Sequence, residues 1–398
     1  MKISRPELVA PIRDLASLEA CKDYADAVYF SVSTLSLRAN ANNLHLNKLK
    51  QFVKKCHSYN IRTYLTLNSV IYNNDIEKAE KIIKKAKECS VDALIVWDPA
   101  IIEIAKKEDM PFTISTQANV SNWKSAEFYR ILGATKIVLA REMTLKHIAE
   151  LKKKVDINIE TFVHGAMCIS ISGRCILSAY MYGKSANCGS CAQPCRKEWT
   201  LTDNEDNKID CEGKYLMNAK DLCLIEHIPK LIKAGINSFK IEGRRRDPRY
   251  IKTTTRCYKE AIDAYFDNTF TKEKVKKWKE DLEKVYNRGF TTGFYFGKKS
   301  KEGISYNKSD NISKSRKTQL GTVTNYYPKI GVALIRLNHK GVQLGEHLII
   351  EGHTTYNEQD LESMQIEHKN VAKAKKGEDI AIKVSSRVRE NDQVFTIK

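Results

Sequence analysis

Over the first two thirds of the chain, short β-rich runs alternate with amphipathic segments. The runs are ELVAP (Glu7–Pro11), AVYFS (Ala27–Ser31), RTYLTL (Arg62–Leu67), ALIVWD (Ala93–Asp98), FTISTQ (Phe112–Gln117), KIVLA (Lys136–Ala140), NIETFVHG (Asn158–Gly165) and SFKIEG (Ser238–Gly243). Between most of them lie stretches such as NNLHLNKLKQFVKKCHSY and DLCLIEHIPKLIKAG, whose apolar residues recur at helical spacing. Eight such units predict an α/β fold, a (β/α)8 TIM-like barrel with its helices outside. An open doubly wound sheet is the alternative arrangement of the same units.

The pattern changes twice along the chain. Between the seventh and eighth runs a long cysteine-rich insertion, residues 165–235, leaves the C-terminal end of strand seven. In barrels of this kind that end is where chemistry sits. The barrel domain is expected over 1–265, and 266–317 reads as a charged helix and a basic, polar linker. From Thr318, LGTVTNYYP, IGVALIRLN, EHLIIEG, DIAIKVS and QVFTIK are separated by Gly, Asn and Lys turns. This predicts a small C-terminal all-β barrel over 318–398.

Alternation within the strands selects candidate site residues. In the seventh strand Glu160, Phe162 and His164 share one face. In the eighth Ser238, Lys240 and Glu242 do, and in the fifth Thr113, Ser115 and Gln117. The opposite, apolar faces should meet the helices, so these should point into the barrel. Buried charges are paired or functional. A Lys240–Glu160 or Lys240–Glu242 ion pair is the structural reading. The functional one makes His164, Glu160, Glu242 and Lys240 candidate catalytic residues. GRRRDPR, after the eighth strand, brings Arg244, Arg245 and Arg246 to the barrel mouth, with Arg38 and Arg141 joining from other loops. Guanidinium forks hold carboxylates and phosphates bidentately. With Gln117 they form the candidate substrate-binding set.

Charge and cysteine content narrow the class. The formal net charge of +19 favours a polyanionic partner, and RNA is the commonest in the cytoplasm. No apolar run has the length of a membrane span, and MKISRPELVAPIRDL lacks an apolar leader, so no membrane is expected and a cytoplasmic location is. There, eleven cysteines point to metal or redox chemistry rather than disulfides. Six of them lie between 168 and 211: Cys168, Cys175, Cys188, Cys191, Cys195 and Cys211. CGSC has the C-x2-C spacing of zinc sites, whereas an iron–sulfur cluster accepts four thiolates scattered over a longer stretch. Spacing alone leaves zinc and iron–sulfur open. A helix over Cys168–Cys175 would put both on one stripe. There is no HExxH or GxSxG, and GKS lacks the upstream glycine of a P-loop, so neither an ordinary protease nor an NTPase is indicated.

ETFVHGAMCISISGRCILS (Glu160–Ser178) closely resembles the signature of the U-thirty-two peptidase family, the collagenase-like peptidases. GKSANCGSCAQPCR, KYLMNAKDL and SFKIEGRRRDPRYI resemble further blocks of that family in the right order, and TISTQANVSN and LSLRANANN its earlier ones. The stretch with GEHLIIEGHTTY, ESMQIEH and KAKKGEDIAIKV resembles the family's small barrel, which is similar to elongation factor domain 2. The extra β domain makes the tRNA hydroxylation branch the nearest in appearance. The resemblance implies an RNA-modifying enzyme that forms 5-hydroxyuridine at the tRNA wobble position, or one acting on rRNA. It implies a 4Fe-4S cluster and prephenate or a similar dicarboxylate as co-substrate. It also implies Cys168, Cys175, Cys191 and Cys195 as ligands, with Cys211, which resembles the ubiquinone branch's fourth ligand, competing with Cys195. A collagenase-like peptidase and a non-catalytic RNA-binding factor are the alternatives.

Overall fold

The computed structural model describes residues 4–32, 34–37, 44–205, 207–208, 213–297, 301–307 and 310–397. The chain divides into two compact units, residues 1–13 with 21–312, and residues 14–20 with 313–398.

The first unit is built on ten strands: β1 (Glu7–Pro11), β2 (Ala27–Phe30), β3 (Arg62–Leu67), β4 (Ala93–Val96), β5 (Phe112–Ile114), β6 (Lys136–Val138), β7 (Asn158–Gly165), β8 (Asp221–Cys223), β9 (Ser238–Ile241) and β10 (Phe290–Thr291). Strands β1 to β7 pair in sequence, each parallel to the next. β9 is parallel to both β7 and β1, which closes an eight-stranded ring. The closure excludes the open doubly wound alternative. The eight ring strands are the eight read from the sequence. β8 and β10 lie outside the ring, β8 antiparallel to the end of β7 and β10 parallel to β8. They are two or three residues long and leave no periodic signal in the sequence.

Ring strands buried on both faces read as nearly continuous apolar runs. Leu8, Val9 and Ala10 of β1 and all four residues of β4 are buried. Inside the ring Val9, Ala27, Tyr29, Tyr64, Ala93 and Ile95 pack into an apolar cluster on one side. The other side is ionic and is described below. Outside, the helix Pro248–Phe266 begins where the Asp247 side chain accepts the Tyr250 N–H at 2.9 Å, with Pro248 at its first position. Its buried stripe includes Tyr250, Cys257 and Tyr258.

Residues 266–312, expected as a helix and a linker, belong to the first unit. The polar composition of this stretch predicts mobility, yet its described residues return to pair with the end of the cysteine insertion. Lys220 donates its N–H to Gly303 O at 2.9 Å, Ser305 to Asn218 O at 2.8 Å, and Tyr215 to Tyr306 O at 3.1 Å. Ile312 N–H closes the segment on Asn287 O at 2.9 Å.

The second unit is an antiparallel eight-stranded sheet with a two-stranded ribbon. Its central strand, Lys317–Tyr327, pairs with Val332–Arg336 on one side and Gln393–Ile397 on the other. Leu320, Val323, Ile335, Leu348, Ile380 and Val394 are among the residues of its apolar core. No helix among the described residues is long and apolar enough to cross a membrane.

Candidate active site

A cavity of about 130 Å³ opens at the C-terminal ends of the ring strands. The ring contributes Thr66, Asn68, Ser115, Gln117, Arg141, Phe162, Lys240, Glu242 and Arg244 to its wall. The insertion contributes Cys168, Ser172, Cys175, Cys191, Cys195 and Arg196.

The insertion is held against the ring by short polar contacts. Ser172 takes a left-handed conformation, φ 45°, that aims its N–H at Glu142 Oε1 at 2.7 Å and its hydroxyl at Asn119 Oδ1 at 2.8 Å. Cys175 N–H donates to Asn187 Oδ1 at 3.0 Å, and Asn187 O accepts from Val70 N at 3.0 Å, beyond β3. Arg196 donates to Met167 O at 2.5 Å, to Asn218 Oδ1 at 2.8 Å and to Ala219 O, so it joins both ends of the insertion. The segment between Cys168 and Cys175 is a loop with a single 3-10 turn at Ile171–Gly173, not the helix that would align the two thiols. Both residues reach the cavity wall from this loop instead.

Four of the predicted ligands, Cys168, Cys175, Cys191 and Cys195, line the cavity together. Burial pushes the Cys195 thiol above its ordinary range. The Arg196 guanidinium acts against that, and the charges of Cys168, Cys191 and Cys175 add to it. All three are therefore within electrostatic reach of Cys195. Cys191 Sγ accepts the Gln193 N–H at 3.4 Å. Cys188 is not in the wall; its Sγ lies 3.9 Å from the Tyr72 hydroxyl. Cys211 lies outside the described residues, as does Arg38. Among the described residues, no three His, Cys, Asp or Glu side chains form a group that could hold a metal ion. Four soft sulfur donors are the donor chemistry of zinc or of an iron–sulfur cluster.

The arginines separate. Arg244 is buried and donates to Thr66 Oγ1 and Ser36 Oγ, both at 2.9 Å, at the cavity wall. Arg141 lies 3.9 Å over the Phe162 ring and donates to Ala166 O at 2.8 Å, while its buried Nε has no partner among the described residues. Arg245 is exposed, and the Arg246 guanidinium lies 3.3 Å over the Tyr286 ring; neither lines the cavity. Three consecutive arginines in a turn cannot all face one way. Gln117 is buried in the wall, where its Oε1 accepts from Ser115 and, at 3.4 Å, from Asn68.

The acid–base candidates also separate. Glu160 is fully buried, with Lys240 Nζ at 2.7 Å, Ser238 Oγ at 2.8 Å and Lys136 Nζ at 3.0 Å. Lys136 reaches Glu7 Oε2 at 2.7 Å. Burial alone would raise the Glu160 pKa, but Lys136 and Lys240 outweigh it and hold it at about 2. The two lysines move in opposite directions. Burial lowers both; Lys136 ends raised because it faces Glu160 and Glu7. Lys240 ends lowered, with Glu160 facing it and the cations Lys136 and Arg244 adding to the burial. Lys240 thus joins a structural ion network to the cavity floor. Glu242 lines the cavity as well.

His164 is not on the inward face. The pairing of β7 with β9 shifts register between Phe162 and His164. Such a bulge adds one residue and reverses which face the following side chains take. Phe162 lines the cavity, whereas His164 packs against Tyr250 and Tyr258 of the Pro248–Phe266 helix, with ring centroids 5.9 and 5.5 Å away. Burial pushes its pKa down to about 3, so it is a neutral core imidazole. Gly165 follows with φ +101°, and a Cβ there would run into the Glu242 carbonyl oxygen.

Asn68 and Arg196 were not among the expected site residues. Asn68 had a signal: it continues the inward series Tyr64, Thr66 one step beyond β3, as Gln117 does beyond β5. Arg196 had none, because its role depends on how the insertion folds back.

The model of peptidase family U32 matches residues 14–305. The chain belongs to that family. It is 44% identical over 403 residues to an uncharacterized protease of Methanocaldococcus jannaschii, covering 98% of each chain. It is 35% identical to a collagenase of Porphyromonas gingivalis, covering 99% of this chain and 98% of that one. It is 37% identical to tRNA hydroxylation protein P1 of Bacillus subtilis, covering 81% of this chain and 78% of that one.

Proposed function

We propose that the protein is an enzyme that hydroxylates RNA, with a tRNA uridine converted to 5-hydroxyuridine as its reaction. The observation that carries this reading is one cavity walled by four thiols and three arginines, in a chain similar over most of its length to a tRNA hydroxylation protein. Cys168, Cys175, Cys191 and Cys195 would hold a 4Fe-4S cluster. When bound, the cluster would supply electron transfer next to the substrate. The chain's own residues bind and orient. Arg141 and Arg244 would take the carboxylates of a small dicarboxylate such as prephenate, with Gln117 and Asn68 offering amides. Lys240 and Glu242 are the ionisable groups placed to move protons at the floor.

Collagenase-like peptidase activity is the second reading, carried by the near full-length similarity to the Porphyromonas gingivalis protein. Against it, no histidine is among the described residues lining the cavity, and a thiol or hydroxyl nucleophile is ordinarily activated by an adjacent base such as an imidazole.

Nucleoside mass spectrometry of total RNA from a deletion strain tests the choice. Loss of 5-hydroxyuridine, restored by the wild-type chain, is the expected result. Unchanged nucleosides with altered turnover of collagen-like peptides would move the peptidase forward.

A further inference from the structure

The cysteine insertion has a second face. While Ser172, Gly173, Cys175, Leu177 and Ser178 line the cavity, the apolar side chains of Ile171, Ile176 and Tyr180 in the same stretch are exposed to solvent. Ile171 is 63% exposed, Ile176 62% and Tyr180 83%. Isolated exposed apolar residues need no account, but a run of them within ten positions marks a contact surface. The polar residues of the same stretch all have one sign. From Ala166 to Lys197 the chain contains no Asp or Glu, but it contains Arg174, Lys184, Arg196 and Lys197. Arg196 is consumed by the backbone contacts described above. Arg174, Lys184 and Lys197 are exposed, and none has an ion-pair partner among the described residues. Two of them lie beside aromatic faces: Lys197 Nζ is 4.4 Å from the Tyr182 ring centroid, and the Arg174 guanidinium is 5.1 Å from that of Trp97.

Aromatic and aliphatic side chains interleaved with unpaired cations match an unpaired nucleic acid strand. Its bases need flat apolar contacts and its phosphates need cations. A duplex keeps its bases stacked inside and would use only the cations. An acidic protein surface would match the charge but leave the exposed Tyr180 ring without a reason.

We propose that the outer face of the cysteine insertion is the seat for an unpaired loop of the RNA substrate. Ile171, Ile176 and Tyr180 pack against bases, and Arg174, Lys184 and Lys197 meet phosphates. The cavity opens past Cys168 and Ile169, both exposed and both in its wall, so a loop seated here lies beside the thiols. The proposal rests on the RNA reading above and adds which RNA structure is recognised and by which residues.

The test compares two fluorescent RNAs, a stem with an unpaired loop and a fully paired duplex of the same length, by anisotropy at fixed salt. The wild-type protein is expected to prefer the stem-loop. The combined variant Ile171→Ser, Ile176→Ser, Tyr180→Ala should lose roughly fivefold or more of its stem-loop affinity, with duplex binding and salt slope unchanged. Tyr180→Phe should bind as wild type, because stacking needs the ring and not the hydroxyl. The variant Arg174→Gln, Lys184→Gln, Lys197→Gln should weaken both RNAs and flatten the salt slope. Equal stem-loop affinity of the apolar variant and wild type would overturn this proposal and leave the RNA reading standing. So would a wild-type dimer that the apolar variant dissolves in sedimentation, with RNA affinity unmoved. Absence of any RNA binding by the wild type would overturn both.

Discussion

Two polar assemblies occupy the same barrel and obey different rules. In the ionic one, Glu7, Lys136, Glu160 and Lys240 alternate in sign, and each link is 3.0 Å or shorter. Its groups spend their charge on one another. In the upper one, four thiols, Arg141, Arg244 and Gln117 point toward a shared space, and the buried Nε of Arg141 lacks a partner among the described residues. A buried charge that is fully paired is explained by the fold. Polar groups that converge on a cavity are explained by something that enters it.

The sharpest way to break this contrast is to remove one group from each assembly. Cys175→Ala should abolish bound iron and acid-labile sulfide in protein purified without oxygen, while leaving the metal-free protein's unfolding free energy nearly unchanged. Zinc at stoichiometric level without sulfide in the wild type would end the cluster reading. Lys136→Met should do the reverse. It leaves Glu160 and Glu7 short of a cation in a buried site, which costs about 3–5 kcal/mol in denaturant unfolding.

A smaller effect sharpens the division among the arginines. Arg244→Lys keeps the charge but loses the fork, and prephenate affinity measured by calorimetry should fall roughly tenfold. Arg245→Gln, at an exposed position, should leave that affinity where it was. Equal losses in the two variants would mean that the whole arginine run faces the ligand.

An effect confined to acid pH concerns His164. Its folded pKa, about 3, lies below the unfolded value of 6.5, so the unfolded chain binds the proton first. Stability from this group is full above pH 6.5 and falls as pH drops from there toward 3, by at most about 1.4 kcal/mol per pH unit. His164→Phe should flatten the pH dependence of unfolding in that window. An unchanged slope would place an unshifted, accessible imidazole there.

These residues also show what can be read from a sequence. The eight ring strands were legible because each is a short β-rich run, and so were the cavity cysteines, because loops after β7 belong to the catalytic end of a barrel. Gln117 was legible from parity alone. His164 was misread because the bulge leaves the local alternation intact and changes only the register against β9, a partner 78 positions from Glu160. Arg245 and Arg246 were misread because composition does not say how a turn distributes its side chains. The segment 301–312 was misread as a linker because backbone hydrogen bonds leave no mark on composition.

The return of that segment has a consequence for biosynthesis. The last cavity thiol among the described residues is that of Cys195, but the ring cannot close until Ser238–Ile241 has been made. The 215–221 end of the insertion waits longer still, for Gly303–Tyr306. On a ribosome the four sulfurs thus emerge before the walls that enclose them, in a chain whose barrel folds as a unit. Between those moments they are open to any metal or oxidant at hand, so the chemistry of these thiols can begin before the barrel is closed around them.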